Sequence, residues 1–263
     1  MLSFRAASSE AVAALVDGVE GSATVAQDLF AVAANLRSEG ALRRFATDFA
    51  LPSEAKTGLV SELYDGKVDP ATLDLLKDAV GRRWTRTRDL ADALEYVGVV
   101  AAVRSTGRDA DQVVDELFSV RSIVNDSPDL RNALSDRARS ADDKAALVDT
   151  LLDGKVLPAT VILVKQALTG SHRSVAVALE DYEKVAADVH GRDVATVRVA
   201  RPLGESEVQR LEAALTEQYG RPVHLNIVVD PDVIGGIKVE IGGDVIDGTI
   251  SSRLDDARRK LAG

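Results

Sequence analysis

Lys56-Thr57-Gly58-Leu59-Val60-Ser61-Glu62-Leu63-Tyr64-Asp65-Gly66-Lys67-Val68-Asp69-Pro70-Ala71-Thr72 is in effect written twice in this chain. Moved 88 residues onward it falls, without a gap, on Lys144-Ala145-Ala146-Leu147-Val148-Asp149-Thr150-Leu151-Leu152-Asp153-Gly154-Lys155-Val156-Leu157-Pro158-Ala159-Thr160. At the same offset Val25, Leu29, Phe30 and Val32 fall on Val113, Leu117, Phe118 and Val120, and Leu42-Arg43 falls on Leu130-Arg131. About 22 of the 56 positions from 25 to 80 are identical, several-fold above chance, so the segment reads as a tandem duplication.

The register extends backwards. Val12-Ala13-Ala14-Leu15 falls on Val100-Ala101-Ala102-Val103, while residues 93–109 also resemble 178–193. The segment 89–104 therefore closes the first copy and can open the second. Within each copy the apolar spacing is helical: Val25, Leu29, Val32 and Leu36 share one face, with Ser22 or Thr24 in position to cap it. Gly66 suits a helix C-terminus, and Asp69-Pro70 opens the next helix, whose stripe runs Leu73, Leu76, Val80, Trp84. The second copy repeats the plan and ends with a helix near 175–189.

After Gly191 the period changes. Val197 and Val199 alternate with Arg198 as in a half-buried strand; residues 205–219 form a helix ending at Gly220. Val223, Leu225, Ile227 and Val229 make a second strand, and Ile237, Val239 and Ile241 a third. A short strand follows near 245–250, and Ile250, Leu254, Ala257 and Leu261 mark a C-terminal helix. The expected fold is mainly α with a small α+β C-terminal domain: a helical bundle over 1–104, a related bundle over 105–190, and a small mixed sheet and helix domain over 193–263.

Composition narrows the function. A net charge of −10 opposes nucleic-acid binding and attraction to an anionic membrane, because neither polyanion gains from the contact. The chain has no cysteine, which removes disulfides, thiolate metal sites and cysteine nucleophiles. The opening Met1-Leu2-Ser3-Phe4-Arg5 carries no apolar run of a secretory signal, and Val97 to Val103, the most apolar stretch, is too short to span a bilayer.

A catalytic constellation is not legible. His172, His190 and His224 lack metal-ligand spacing, and Lys67 and Lys155 follow glycine without the rest of a phosphate loop. Gly235-Gly236 and Gly242-Gly243 lack dinucleotide-binding spacing and suit tight turns; Ser251-Ser252 has no histidine at readable spacing and suits a helix cap. The basic stretch Arg82-Arg83-Trp84-Thr85-Arg86-Thr87-Arg88 reads as a solvated loop with Trp84 docked in the bundle, with a partner patch as the alternative. No catalytic residue, cofactor or metal is expected. A general helical scaffold and an anion-holding enzyme built on the glycine pairs remain the competing classes.

The tail carries the pattern Val223-x-Leu225-x-x-x-Val229-Asp230-x-x-Val233-x-Gly235-Gly236-Ile237-x-Val239-Glu240-x-Gly242, then Asp244-Val245-Ile246-Asp247-Gly248-Thr249-Ile250 and Arg253-Leu254. This closely resembles the C-terminal signature of the δ subunit of F-type ATP synthases, whose mitochondrial counterpart is the oligomycin-sensitivity-conferring protein. Val197-Arg198-Val199-Ala200-Arg201-Pro202-Leu203 resembles the segment entering that domain. The resemblance implies a stator subunit, one copy per complex, on the cytoplasmic face of the plasma membrane and attached to it only through the complex. It implies that the bundle takes N-terminal helices of α subunits into interhelical grooves and that the C-terminal domain engages the b-type stalk. Residues expected to shape such grooves are Val12, Leu15, Val16, Leu73, Leu76, Val80 and Leu163. The first helix lacks the family's Tyr-Ala-x-Ala-Leu opening, and two copies compete for the α subunits. An enlarged actinobacterial form is implied; the Met1 start favours a free-standing subunit over the end of a fusion to a b-type helix.

Overall fold

The structure, a computed structural model, describes Phe4 and residues 7–136 and 138–250. The chain forms two compact units, Met1–Ala186 and Ala187–Gly263. The first copy supplies α1 (Ala7–Gly18), α2 (Ala23–Ser38), α3 (Gly40–Thr47), α4 (Ser53–Tyr64), α5 (Pro70–Gly81) and α6 (Asp89–Arg104). The second supplies α7 (Ala110–Asp126), α8 (Pro128–Ser135), α9 (Ala141–Leu152), α10 (Pro158–Thr169) and α11 (Val175–Val189).

The duplication persists at the level of single hydrogen bonds. Asp28 Oδ2 accepts from Asp69 N at 2.8 Å and Thr72 Oγ1 at 3.1 Å; 88 residues on, Glu116 Oε2 accepts from Leu157 N at 2.9 Å and Thr160 Oγ1 at 2.5 Å. Each carboxylate, on α2 or α7, satisfies the N–H of the residue just before α5 or α10, which has no partner within the helix, and a threonine hydroxyl in its first turn. Gly66 and Gly154 both adopt left-handed backbone, with φ of +71° and +66°, and end α4 and α9 identically. Asp69 caps α5 through Ala71 N, whereas Leu157 offers α10 no side-chain cap.

α6 is the axis of the unit. It packs on α1, α2 and α3 from the first copy and on α7 and α10 from the second. Its residues are buried almost all round, as expected of a helix whose apolar residues lie on every face. Close approach depends on small residues: a Cβ at Gly98 would lie 2.6 Å from the Phe30 ring, and one at Gly21 would lie 2.5 Å from the Arg104 carbonyl. Ser22 caps α2, its hydroxyl accepting from Val25 N.

The second unit holds a four-stranded sheet in the order β2-β1-β3-β4. β1 (Asp193–Val199) and β2 (Val223–Val229) are parallel and joined through α12 (Glu205–Tyr219); β3 (Ile237–Ile241) and β4 (Asp244–Asp247) follow antiparallel. Ala195, Val197, Val199, Leu215, Val223, Val239 and Ile241 form its core. Gly220, at φ +72°, ends α12. The expected fourth strand is real but earlier than 245–250, because Asp247 turns the chain by accepting from Thr249 N and Oγ1. The expected C-terminal helix lies outside the described residues, apart from Ile250 at its start.

Candidate functional site

An apolar furrow of about 480 Å³ opens in the second copy between α7, α8, α9 and α10. Its walls are Val120, Ile123 and Val124 from α7, Leu130 and Leu134 from α8, and Val148, Leu151 and Leu152 from α9, with Val156 and Val164 behind. Ile123 and Leu151 are 56% and 41% exposed, so two large aliphatic side chains stand in water at the rim. Polar groups at the edge come from Asp115, Glu116, Ser119 and Lys155. The Glu116 carboxylate is already engaged at the head of α10, which leaves the furrow floor apolar.

The corresponding face of the first copy differs at the residues that matter. Asn35 stands at the position of Ile123 and Tyr64 at that of Leu152, and Ala46 replaces Leu134. Tyr64 is hydrogen-bonded to Asn35; burial pushes its phenol up, against that bond. A polar pair therefore crosses the first-copy face where the second copy offers aliphatic carbon. A shallower hollow of the first copy, about 410 Å³, runs over Gly18, Glu20, Val25, Ala71, Asp74, Leu75 and Asp78, and is strongly acidic.

Of the groove residues named from sequence, Val12, Leu15, Leu76, Val80 and Leu163 are buried, and Val16 and Leu73 are half-buried. None of them lines the second-copy furrow. Ile123, Leu130, Leu134, Leu151 and Leu152 were not singled out. The signal in the sequence for Ile123 is an apolar residue where the other copy of the repeat has Asn35.

The tail signature makes turns. Asp230 N donates to Val199 O, Asp230 Oδ1 accepts from Asp232 N, and Val233 N returns to Asp230 O. Gly235, Gly236 and Gly242 have φ of +69°, +87° and +60°. A Cβ on Gly236 would lie 2.5 Å from Gly248 O, so these two segments can meet only at glycine. Gly248 N donates to Ile237 O, and Ile250 N to Gly235 O. Val229 closes β2, Val239 and Glu240 lie on β3, and Asp247 holds the final turn. Arg253 and Leu254 lie outside the described residues. Val229, Ile234, Val245, Ile246 and Ile250 remain exposed.

Buried charge clusters where the two copies meet. Glu95 on α6 accepts from Arg37 on α2, from Tyr182 Oη on α11 at 2.6 Å and from Ser171 N at 3.2 Å. Burial pushes its carboxyl up, but Arg37 and hydrogen bonds from Tyr182, Gln166 and Ser171 outweigh that and hold it below the ordinary carboxylate range. His172 lies 3.1 Å from Asp181, whose carboxyl it holds down at about 2, and 3.7 Å from Glu95. Among the described residues no group of three or more acidic or histidine side chains could hold a metal ion.

The family profile described as ATP synthase delta (OSCP) subunit matches residues 93–261. This chain belongs to that family. Its match begins inside α6, so the second copy and the C-terminal unit carry the family's own extent and the first copy precedes it. ATP synthase subunit delta of a Nocardioides strain is 56% identical over 99% of this chain and 98% of that protein. The subunits of Thermobifida fusca and Streptomyces griseus are 43% and 40% identical, covering 92% and 98% of this chain and 91% and 97% of their own lengths. The enlarged form with an added helical copy is thus shared with actinobacterial δ subunits. A chain of the Toxoplasma gondii mitochondrial ATP synthase hexamer overlaps 63% of this chain, and 95% of itself, at 19% identity and a TM-score of 0.37, too loose a match to build on. No helix among the described residues is long and apolar enough to cross a membrane.

Proposed function

We propose that this δ-family chain is a non-catalytic stator subunit that ties the catalytic head of an F-type ATP synthase to its peripheral stalk and resists rotor torque. The second-copy furrow receives an N-terminal helix of an α subunit. The C-terminal unit, with its exposed Ile234, Val245 and Ile250, engages the end of a b-type stalk helix. One copy serves each complex, on the cytoplasmic face of the plasma membrane, in support of proton-driven ATP synthesis.

The observation that carries this reading is the furrow with Ile123 and Leu151 exposed at its rim. Helix-in-groove recognition needs aliphatic anchors filling a preformed apolar slot, and each fully buried aliphatic side chain contributes about 1.5–3 kcal/mol. A head-to-stalk connector needs firm contacts and no reacting side chain. Titration of an α-subunit N-terminal peptide into the full chain tests the reading. I123D and L151D should each weaken binding by roughly tenfold or more with the fold intact by circular dichroism. Unchanged affinity in both variants would remove the furrow from the interface. A b-type C-terminal peptide should perturb amide shifts within residues 187–263; perturbation confined to the helical unit would reassign that contact.

A further inference from the structure

The loop between α5 and α6 carries Arg82, Arg83, Arg86 and Arg88, and it is held rigidly. Trp84 is buried and its Nε1 donates to Ala79 O at 2.9 Å. Asp89, also buried, accepts from Ser8 Oγ at 2.7 Å and from Arg86 N at 3.2 Å, while Ser8 Oγ accepts from Thr85 N. The loop backbone is thus tied to α1 and α6, and the Asp89 carboxylate behind it is spent on these contacts. Arg82 pairs with Asp78, but Arg83, Arg86 and Arg88 are exposed and form no ion pair among the described residues.

Beside Arg83 stands Phe49, in the turn between α3 and α4. At 81% exposure it is the most exposed large apolar side chain among the described residues, and the Arg83 guanidinium sits 5.7 Å from its ring centroid. Asp48, its neighbour, is occupied by Ala50 N at 2.8 Å. The second copy has Gly170-Ser171-His172-Arg173-Ser174-Val175-Ala176 where the first has the arginine loop, so the feature belongs to the added copy alone.

We propose that this end of the first copy is a docking surface for an acidic segment of another polypeptide of the ATP synthase, with carboxylates on Arg83, Arg86 and Arg88 and an apolar side chain against Phe49. Single exposed ion pairs contribute little, but a pinned loop presents three arginines with little further backbone ordering, and arginine and aromatic side chains dominate protein contacts. A protein partner is favoured over an anionic bilayer, because a chain of net charge −10 is repelled from an extended negative surface, while a short acidic segment meets only the local positive patch. This is independent of what fills the second-copy furrow.

The test places the photo-crosslinker p-benzoylphenylalanine at position 49 of the full chain within its purified ATP synthase and identifies the joined peptide by mass spectrometry. One acidic segment of another subunit should be captured. The triple variant R83E/R86E/R88E, with an unchanged circular dichroism melt, should cut the yield about tenfold, as should raising KCl from about 0.05 to about 0.5 M. Crosslinking to lipid, to a basic or neutral segment, or to nothing would overturn the proposal. So would a yield indifferent to charge reversal.

Discussion

Glu95 and Glu183 occupy the same place in the two copies, 88 residues apart, and both side chains are almost wholly buried. Their carboxyls nevertheless shift in opposite directions. Glu95 is held low because Arg37, Tyr182, Gln166 and Ser171 surround it; Glu183 is raised because burial outweighs its bidentate contact with Arg121, at 2.7 and 3.0 Å. The arginines come from positions one helical turn apart in the repeat, and Glu95 has partners from both copies. A lowered carboxyl adds stability above the ordinary carboxylate range and loses it as pH falls through the folded value; a raised one adds stability below that range and loses it as pH rises through the folded value. Glu95→Gln should therefore cost about 2 kcal/mol at neutral pH, because Arg37, Tyr182 and Ser171 lose a charged acceptor while Arg37 keeps Asp92, with the deficit shrinking as pH falls. Glu183→Gln should cost less than about 1 kcal/mol, because burial already opposes the charged form of Glu183 more than Arg121 favours it, and its deficit should shrink as pH rises. Denaturant titrations across pH read both slopes, and equal slopes would refute the contrast. Gly236→Ala should destabilise the C-terminal unit by about 2 kcal/mol or more, since positive φ and the Gly248 carbonyl both oppose a Cβ. Hydrogen exchange confined to residues 193–250 would locate that loss.

At the scale of elements, the helices were legible because capping residues, glycines and apolar stripes agree. Asp69-Pro70, Gly66 and Gly220 sit where their chemistry requires, and the 205–219 helix has the expected ends. The groove residues were less legible. Val12, Leu15, Leu76 and Val80 follow helical periodicity, but periodicity marks a buried face without saying whether this chain or a partner buries it. Only packing shows that α7 and α9 leave Ile123 and Leu151 uncovered. The close approach of α2 to α6 at Phe30 depends on the methyl group that Gly98 lacks. Gly98→Ala forces a Cβ into Phe30, and separation of the helices should cost about 1–3 kcal/mol, read as a lower melting temperature. Pairing Gly98→Ala with Phe30→Leu should recover part of it.

At the scale of the molecule, the two helical copies are one body because α6 belongs to both. Removing residues 1–88 would strip α1 to α5 from a helix buried on nearly every side. Residues 89–263 should then melt at a lower temperature and bind a hydrophobic dye that the full chain ignores, so partner binding by the two copies is better separated with I123D and L151D than by truncation. A deletion variant as stable as the full chain would show α6 to be self-sufficient. The sequence by itself determined the duplication, the helical caps, the small α+β tail and the family, because these are written in local chemistry and fixed spacing. The sequence also offered 89–104 as common to both copies; tertiary structure alone decided that Glu95 joins the copies and that the open apolar furrow lies in the second copy. Those facts depend on which faces meet, and a helical stripe reads the same whether it packs inward or waits for a partner.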